Sequence, residues 1–206
     1  MSTYAIPYVT TRTSQGERTV DIYSRLLADR VIYLGTAVDD GVANAIIAQL
    51  IHLESESPNL PINLYINSSG GSIPATLAIY DAMQFITCDV ETTCVGQAAA
   101  TAAVLLAGGA AGKRQILQHG RVVIHTPAME GRGTIPDLVL EADEVERVRT
   151  MLEQILAQHT GRSPEQVRED TERDLILTPQ AALDYGVVDA VLTHRTNIGG
   201  QYGSGG

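Results

Sequence analysis

The order in which the hydrophobic period changes is what most limits the folds open to this chain. From Val31 onward, short β-branched runs alternate with helical stripes and the connections between them are short. A chain that alternates in this way folds as an α/β domain, with a mostly parallel sheet and right-handed crossovers. The runs 31–34, 62–66, 90–95, 115–117, 122–124 and 187–192 read as strands. The spacing predicts helices over 39–54, with Asp39 or Asp40 as cap, and over 73–84. Residues 98–107 have the Ala-rich composition of a tightly packed helix. The longest stripe, 135–158, places Leu138, Val139, Ala142, Val145, Val148, Leu152, Ile155 and Leu156 three and four apart. Ser163-Pro-Glu-Gln166 has the form of a capping box with Pro in the first turn. Thr178-Pro-Gln-Ala starts a further helix that Gly186 stops.

Charge and composition remove several function classes. The 206 residues carry a net charge of −10 with only 14 Lys and Arg, a poor match to a phosphate backbone. Trp is absent and Phe85 is the single Phe, so base-stacking platforms are missing and no nucleic acid partner is expected. The most apolar stretch, 98–111, is short for a bilayer span, and the first residues have neither a basic start nor a long apolar run. Cys88 and Cys94 form no CxxC and read as two buried thiols in a reducing compartment. A soluble cytoplasmic protein without membrane contact is the expectation. The tail 196–206 is Gly-rich and flexible in composition, native or appended, and stands outside the fold.

Three features could carry chemistry. Asn67-Ser-Ser-Gly-Gly71 lies between a strand and a helix, where glycines let backbone N–H groups approach a developing negative charge; a plain tight turn has the same sequence. It matches neither a P-loop nor a GxGxxG pattern. His125 ends the strand 122–124, and ligands of α/β sheets gather at such strand ends, although a core histidine reads alike. His52 and His159 have surface or helix-capping readings, while His119 and His194 carry no signal. Asp170-Thr-Glu-Arg-Asp174 is either a solvated, salt-bridged loop or the source of a carboxylate that orients a histidine. No serine sits in a Gly-x-Ser-x-Gly elbow.

From Tyr4 to Arg195 the chain resembles the proteolytic subunit of the Clp protease. The resemblance rests on many motifs in one order: Ser14-Gln-Gly-Glu-Arg18, Leu64-Tyr-Ile-Asn-Ser68 with Gly70-Gly71, Ala78-Ile-Tyr-Asp81, Gly96-Gln-Ala-Ala99, Arg121-Val-Val-Ile-His125, His159-Thr-Gly161 and Asp170-Thr-Glu-Arg-Asp174. It implies a crotonase-like spiral of βαβ repeats with a long protruding handle helix, over residues 21–195. It also implies an axial-gate segment over 1–20 that is processed or poorly ordered unless a ring holds it. Two stacked heptameric rings, a partner AAA+ unfoldase ATPase, unfolded polypeptide substrates, and no cofactor or metal are implied as well.

The resemblance further implies a Ser–His–Asp triad that hydrolyses peptides. Its histidine falls on His125, the general base, and its aspartate on Asp174, which fixes the imidazole tautomer. Backbone N–H groups of Gly71 and Thr101 would form the oxyanion hole. Its serine falls on Ala100: the pattern Gly-Gln-Ala-Ala-Ser stands here as Gly96-Gln-Ala-Ala-Ala100. A methyl group neither loses a proton nor attacks a carbonyl, so the chain as written is expected to be inert as a peptidase. Thr101 is one position late, which on a helix turns its side chain about 100° away. Ala100 is compatible with two origins, a substitution introduced into an active subunit or a naturally non-catalytic subunit that completes a mixed barrel with a second homologous chain.

Other departures bear on partners. Ser69 stands where the family usually has Pro, and Pro74 falls early in the next helix. Tyr65 and Phe85 match the pocket that docks the unfoldase, but Asn63 and Gln115 replace aromatics there, so weaker docking is expected. Gly131 and Gly133 fit an edge strand beside bound peptide that meets the opposite ring, and Glu172 and Arg173 match a charged pair that bridges the rings. Crotonase-type acyl-CoA enzymes share the broad fold, but their adenine-binding loop and paired Glu residues have no counterpart here.

Overall fold

The computed structural model describes residues 5–13, 16–125 and 134–194. Strands β1 (Tyr8–Thr13) and β2 (Gly16–Asp21) form an antiparallel hairpin, in register from Tyr8 opposite Asp21 to Thr13 opposite Gly16. Most of the described part of the expected gate segment is thus paired backbone. Helix α1 (Ile22–Ala28) follows directly, because the Asp21 carboxylate accepts the Ser24 N–H at 2.9 Å as an N-cap. Neither element was expected from the sequence periodicity, since six- and seven-residue pieces are too short to show one.

The body then runs β3 (Val31–Leu34), α2 (Asp40–Glu56), β4 (Ile62–Ser68), α3 (Ile73–Phe85), β5 (Val90–Ala99), α4 (Thr101–Ala107), β6 (Arg114–Leu117), β7 (Arg121–Ile124), α5 (Ile135–Thr160), α6 (Pro164–Asp170), β8 (Leu175–Leu177), α7 (Pro179–Tyr185) and β9 (Ala190–Leu192). Asp39 caps α2 by accepting the Val42 N–H at 2.8 Å. Pro74 sits in the first turn of α3, the one part of a helix that tolerates it. At α6 Ser163 alone caps, without the box expected over Ser163–Gln166, and a capping box is present instead at α5, between Thr134 and Asp137.

The sheet order is β3-β4-β5-β6-β9, with β7 and then β8 added from β5. Every pairing is parallel except β7 with β8, a pairing the short run Leu175–Leu177 did not announce. β5 changes partner along one edge of the same sheet. Thr92–Cys94 pairs with β6, and Gln97–Ala99 pairs with β7. The change of partner coincides with a bulge between Ile66 opposite Cys94 and Ser68 opposite Ala98. Gly96 sits in that bulge at φ +94°, and a Cβ there would come 2.8 Å from Asn67 Oδ1.

Leu50, Leu53, Ile62, Leu64, Ile66, Ile79, Leu105, Leu106 and Ile116 form the centre of the core. All seven residues of α4 are buried. The helix expected over 98–107 is shorter than its composition suggests, because Ala98 and Ala99 complete β5. Ala is indifferent to a buried strand or a buried helix, so the boundary carries no compositional mark. The run 187–192 likewise shortens to Ala190–Leu192, with Val187 and Val188 buried just before it. In α5 only Leu152, Glu153, Leu156 and Ala157 are buried, while Ile135, Leu138, Val139 and Leu140 at the other end are exposed. The long helix therefore joins the body through its C-terminal part alone.

One buried ion pair ties that end down. Arg114 donates to Asp189 through Nη2 at 2.6 Å and Nε at 2.9 Å, and through Nη1 to the His159 carbonyl at 2.8 Å. Burial would raise the Asp189 carboxyl, but the Arg114 hydrogen bonds and charge outweigh it and hold it below the usual carboxylate range. A depressed carboxyl stabilises the fold above its ordinary value and loses that contribution as pH falls through its folded value. Arg114→Met should lower stability by about 3 kcal/mol near neutral pH, because Asp189 is left charged and unpaired. Denaturant melts of the two proteins should converge in acid, below the ordinary aspartate value of 3.8.

Candidate active site

The site begins with a strained turn. Between β5 and α4, Ala100 adopts φ 52° and ψ −125°; Arg30 is the one other non-glycine at positive φ among the described residues. Such a conformation costs roughly 1–3 kcal/mol and persists only where its surroundings impose it. Two contacts do so here. The Ala100 N–H donates to the Val123 carbonyl on β7 at 2.8 Å. Gly70, at φ +83°, packs so closely that a Cβ on it would lie 2.8 Å from the Ala100 Cβ and 2.7 Å from the Ala99 carbonyl oxygen. A sharp strand-to-helix turn of this kind is how α/β hydrolases expose a nucleophile. The sequence hid it, because the glycines that permit it are Gly70 and Gly96, not the immediate neighbours of position 100.

His125 and Asp174 come next to this turn through strand register. The antiparallel β7–β8 ladder ends at Ile124 opposite Leu175, and His125 and Asp174 are the next residue on each strand. Facing residues of an antiparallel pair hold their side chains close enough to interact. Positions 100, 125 and 174 therefore lie one residue beyond the ends of three adjacent strands, β5, β7 and β8, at one end of the sheet. His125 and Asp174 are both exposed, and among the described residues no hydrogen bond joins them. The arrangement expected of a histidine oriented by its carboxylate is in place by register and open by contact.

The glycine loop is built into the same corner. Gly71 forms a parallel bridge with Val38, whose carbonyl oxygen a Gly71 Cβ would meet at 2.1 Å, so the position admits only glycine. The Gly71 N–H donates at 3.1 Å to Thr101 Oγ1. That hydroxyl also lies 2.9 Å from Thr76 Oγ1, which is 2.9 Å from the Ser72 carbonyl. The Thr76 hydroxyl donates toward both the Ser72 carbonyl and Thr101 Oγ1, and Thr101 Oγ1 accepts from Thr76 and from Gly71. The Thr101 hydroxyl is thus a buried strut between α3, α4 and the glycine loop, and the N–H expected to receive an oxyanion is occupied by it. The Thr101 N–H heads α4, where first-turn donors have no partner within the helix.

Beside Ala100 and His125 lies a cavity of about 160 Å³. A cavity of roughly 150 Å³ holds a benzene, so this one suits a single side chain rather than a cofactor. Its wall is apolar at Ile73, Val104, Ile124, Leu156 and Val167 and charged at Arg149 and Glu153. Glu153 is buried, and its two oxygens accept from Arg149 Nε at 2.7 Å and Arg168 Nε at 2.9 Å. Sequence reading missed this cluster. Its one signal is the spacing of Arg149 and Glu153, one helical turn apart on α5.

The remaining expectations divide. Tyr65 lines a second cavity on the outer face of the sheet with Thr93, Leu117, Leu192 and His194. Gln115 pairs with Thr93, which pairs with Tyr65, and Asn63 lies two residues back along β4, so these belong to one face. Phe85, at the end of α3, is 87% exposed and does not line that cavity within one chain. Glu172 and Arg173 are exposed on the turn before β8. Gly131 and Gly133 lie outside the described residues, as do residues 1–4 and the tail. His159 is not at the surface: it is half-buried, its Nε2 2.8 Å from the Tyr80 hydroxyl, and burial together with the Arg114 charge lowers its proton affinity. His52 is exposed beside Glu56. Cys88 and Cys94 are buried free thiols, and burial pushes the Cys94 thiol up to about 12, far from a reactive thiolate. Among the described residues there is no metal-binding cluster of His, Cys, Asp and Glu, and no helix long and apolar enough to cross a membrane.

The Clp protease family matches residues 14–195. The chain is 61% identical over 196 residues to ATP-dependent Clp protease proteolytic subunit 1 of Nocardia farcinica, covering 95% of this chain and 100% of that one. It is 53% identical over 192 residues to proteolytic subunit 4 of Rhodococcus jostii, covering 93% and 99%. It is 52% identical over 199 residues to proteolytic subunit 2 of Streptomyces avermitilis, covering 96% and 100%. With that identity and coverage, and with its spiral α/β fold, the chain belongs to the Clp protease family.

Proposed function

We propose that this chain is a chamber subunit of an ATP-dependent Clp protease, disarmed at position 100. The observation that carries the proposal is the strained turn at Ala100, with His125 and Asp174 on the two strands beyond it. A turn of this cost has a chemical use only if a side chain there must project toward a substrate. With serine at position 100, His125 takes the hydroxyl proton as Oγ attacks the peptide carbonyl, then gives it to the leaving amine. Asp174 holds the imidazole tautomer and stabilises the cation. The oxyanion is received by the N–H of Thr101 at the head of α4 and by that of Gly71, once it leaves the Thr101 hydroxyl. With alanine there is no nucleophile. Loss of that residue from such a triad costs about 10⁶ in kcat, roughly 8 kcal/mol of barrier.

Unfolded polypeptides delivered by an AAA+ ATPase into a cytoplasmic chamber of two stacked heptameric rings are the substrates in this reading. A second reading is a non-catalytic subunit that completes a mixed barrel. Two contacts favour it: Gly71 gives its N–H to Thr101, and His125 and Asp174 make no hydrogen bond to each other.

Reversion separates the two. Ala100→Ser should restore labelling by a fluorophosphonate probe, and the added change His125→Ala should abolish it. An unlabelled Ala100→Ser protein in a barrel of full mass, with its partner ring present, would favour the structural subunit. If Glu172 and Arg173 bridge the rings, Arg173→Ala should halve the native mass, and an unchanged mass removes that role. The polar positions Asn63 and Gln115 predict weak capture of the ATPase by rings of this chain alone, read in a pull-down against rings of a homologous subunit.

A further inference from the structure

The cavity beside Ala100 carries a charge pattern that nothing so far has used. Its wall contains Glu153, a carboxylate buried to 6% exposure in an otherwise apolar surface. A buried carboxylate would ordinarily favour a cation, but two guanidiniums already neutralise this one. Oε1 accepts from Arg149 Nε and Oε2 from Arg168 Nε. The two guanidiniums are not equally engaged. Arg168 turns away from the cavity, giving its Nη2 to Glu146 at 2.8 Å and to Thr150 at 3.2 Å. Arg149 lines the cavity, spends only Nε on Glu153, and has no partner for its Nη groups among the described residues. The wall therefore presents unspent cationic donors over a neutralised carboxylate.

We infer that this cavity is a side-chain pocket selecting against lysine and arginine, and accepting an apolar side chain or one that ends in a hydrogen-bond acceptor, glutamate above all. The inference rests on the reading of position 100 as the reacting position, since it is the residue on the acyl side of that bond whose side chain enters the cavity. The physical reasons are direct. An ammonium in the cavity meets the Arg149 guanidinium, and the carboxylate in the wall is already paired with two guanidiniums. A glutamate side chain meets the free Nη groups of Arg149, which suit two carboxylate oxygens at once. A leucine gains from Ile73, Val104, Ile124, Leu156 and Val167, which supply most of the wall. Arg149 is here a specificity-determining residue, and Glu153 holds it in place.

Because Ala100 prevents turnover, binding can be measured on the chain as it stands. Fluorescent peptides of product form, alike except for a C-terminal Leu, Glu or Lys, should be titrated by fluorescence polarisation against the assembled protein. Peptides ending in Leu and Glu should bind within about threefold of each other, and the Lys peptide at least tenfold more weakly. Arg149→Met should bring the Glu and Lys peptides to within threefold. Arg149→Lys, which keeps a charge beside Glu153, should retain part of the discrimination. Lys binding as tightly as Glu would overturn the inference with no variant needed, and so would an unchanged ratio in a folded Arg149→Met protein. No binding of any peptide by an assembled barrel would instead count against the peptide-site reading beneath it.

Discussion

Along one edge β5 serves two partners in succession. It pairs with β6 over Thr92–Cys94 and with β7 over Gln97–Ala99, and between those stretches its ladder with β4 on the other edge breaks register at the bulge that holds Gly96. The rest follows from that break. The strand is re-aimed toward β7, the Ala100 N–H reaches the Val123 carbonyl, and the chain must turn at once into α4. Left-handed backbone at a non-glycine residue is the result, and it persists because β7 and Gly70 fix the turn from two sides. The site is a property of how the sheet is divided, more than of any side chain within it.

That view explains why the geometry survives without a nucleophile. Nothing in the turn depends on a hydroxyl at position 100: the contacts that impose it are a backbone hydrogen bond, a glycine without a Cβ, and the strut formed by Thr101 and Thr76. The histidine and carboxylate positions are set by the β7–β8 register, again by backbone. Scaffold and chemistry are separable here, and a change from Ser to Ala would remove one without disturbing the other.

Much of this was legible in the sequence, and the failures share a cause. The long elements could be read because period and length agreed, as in α2, α3 and α5. Residues 98–100 could not, since three alanines carry no sign of where a buried strand stops and a buried helix starts. β8 and the β1–β2 hairpin were too short to show a period. At the site, the residue types and their order placed positions 71, 100, 125 and 174 through resemblance to the Clp family. The side-chain connections escaped that reading, because they depend on distance across elements: Gly71 to Thr101, Glu153 between two arginines, and Tyr80 to His159. The lysine-rejecting wall of the cavity belongs to the same class, visible only once α5 and α6 are brought together.

The strand pairings that complete the site have a consequence for how the molecule is made. β7 pairs with β8, and β6 with β9, so both strands that share one edge of β5 take their outer partner from the last part of the chain. Contacts so distant in sequence form late and slowly, after the loop entropy between them has been met. During synthesis the N-terminal half emerges first, with β3, β4 and β5 able to pair while position 174 is still unmade. A half-made chain of this kind has a glycine loop and a core but no assembled site. The order of synthesis therefore leaves positions 125 and 174 without their shared ladder until the final strands dock, whatever residue stands at position 100.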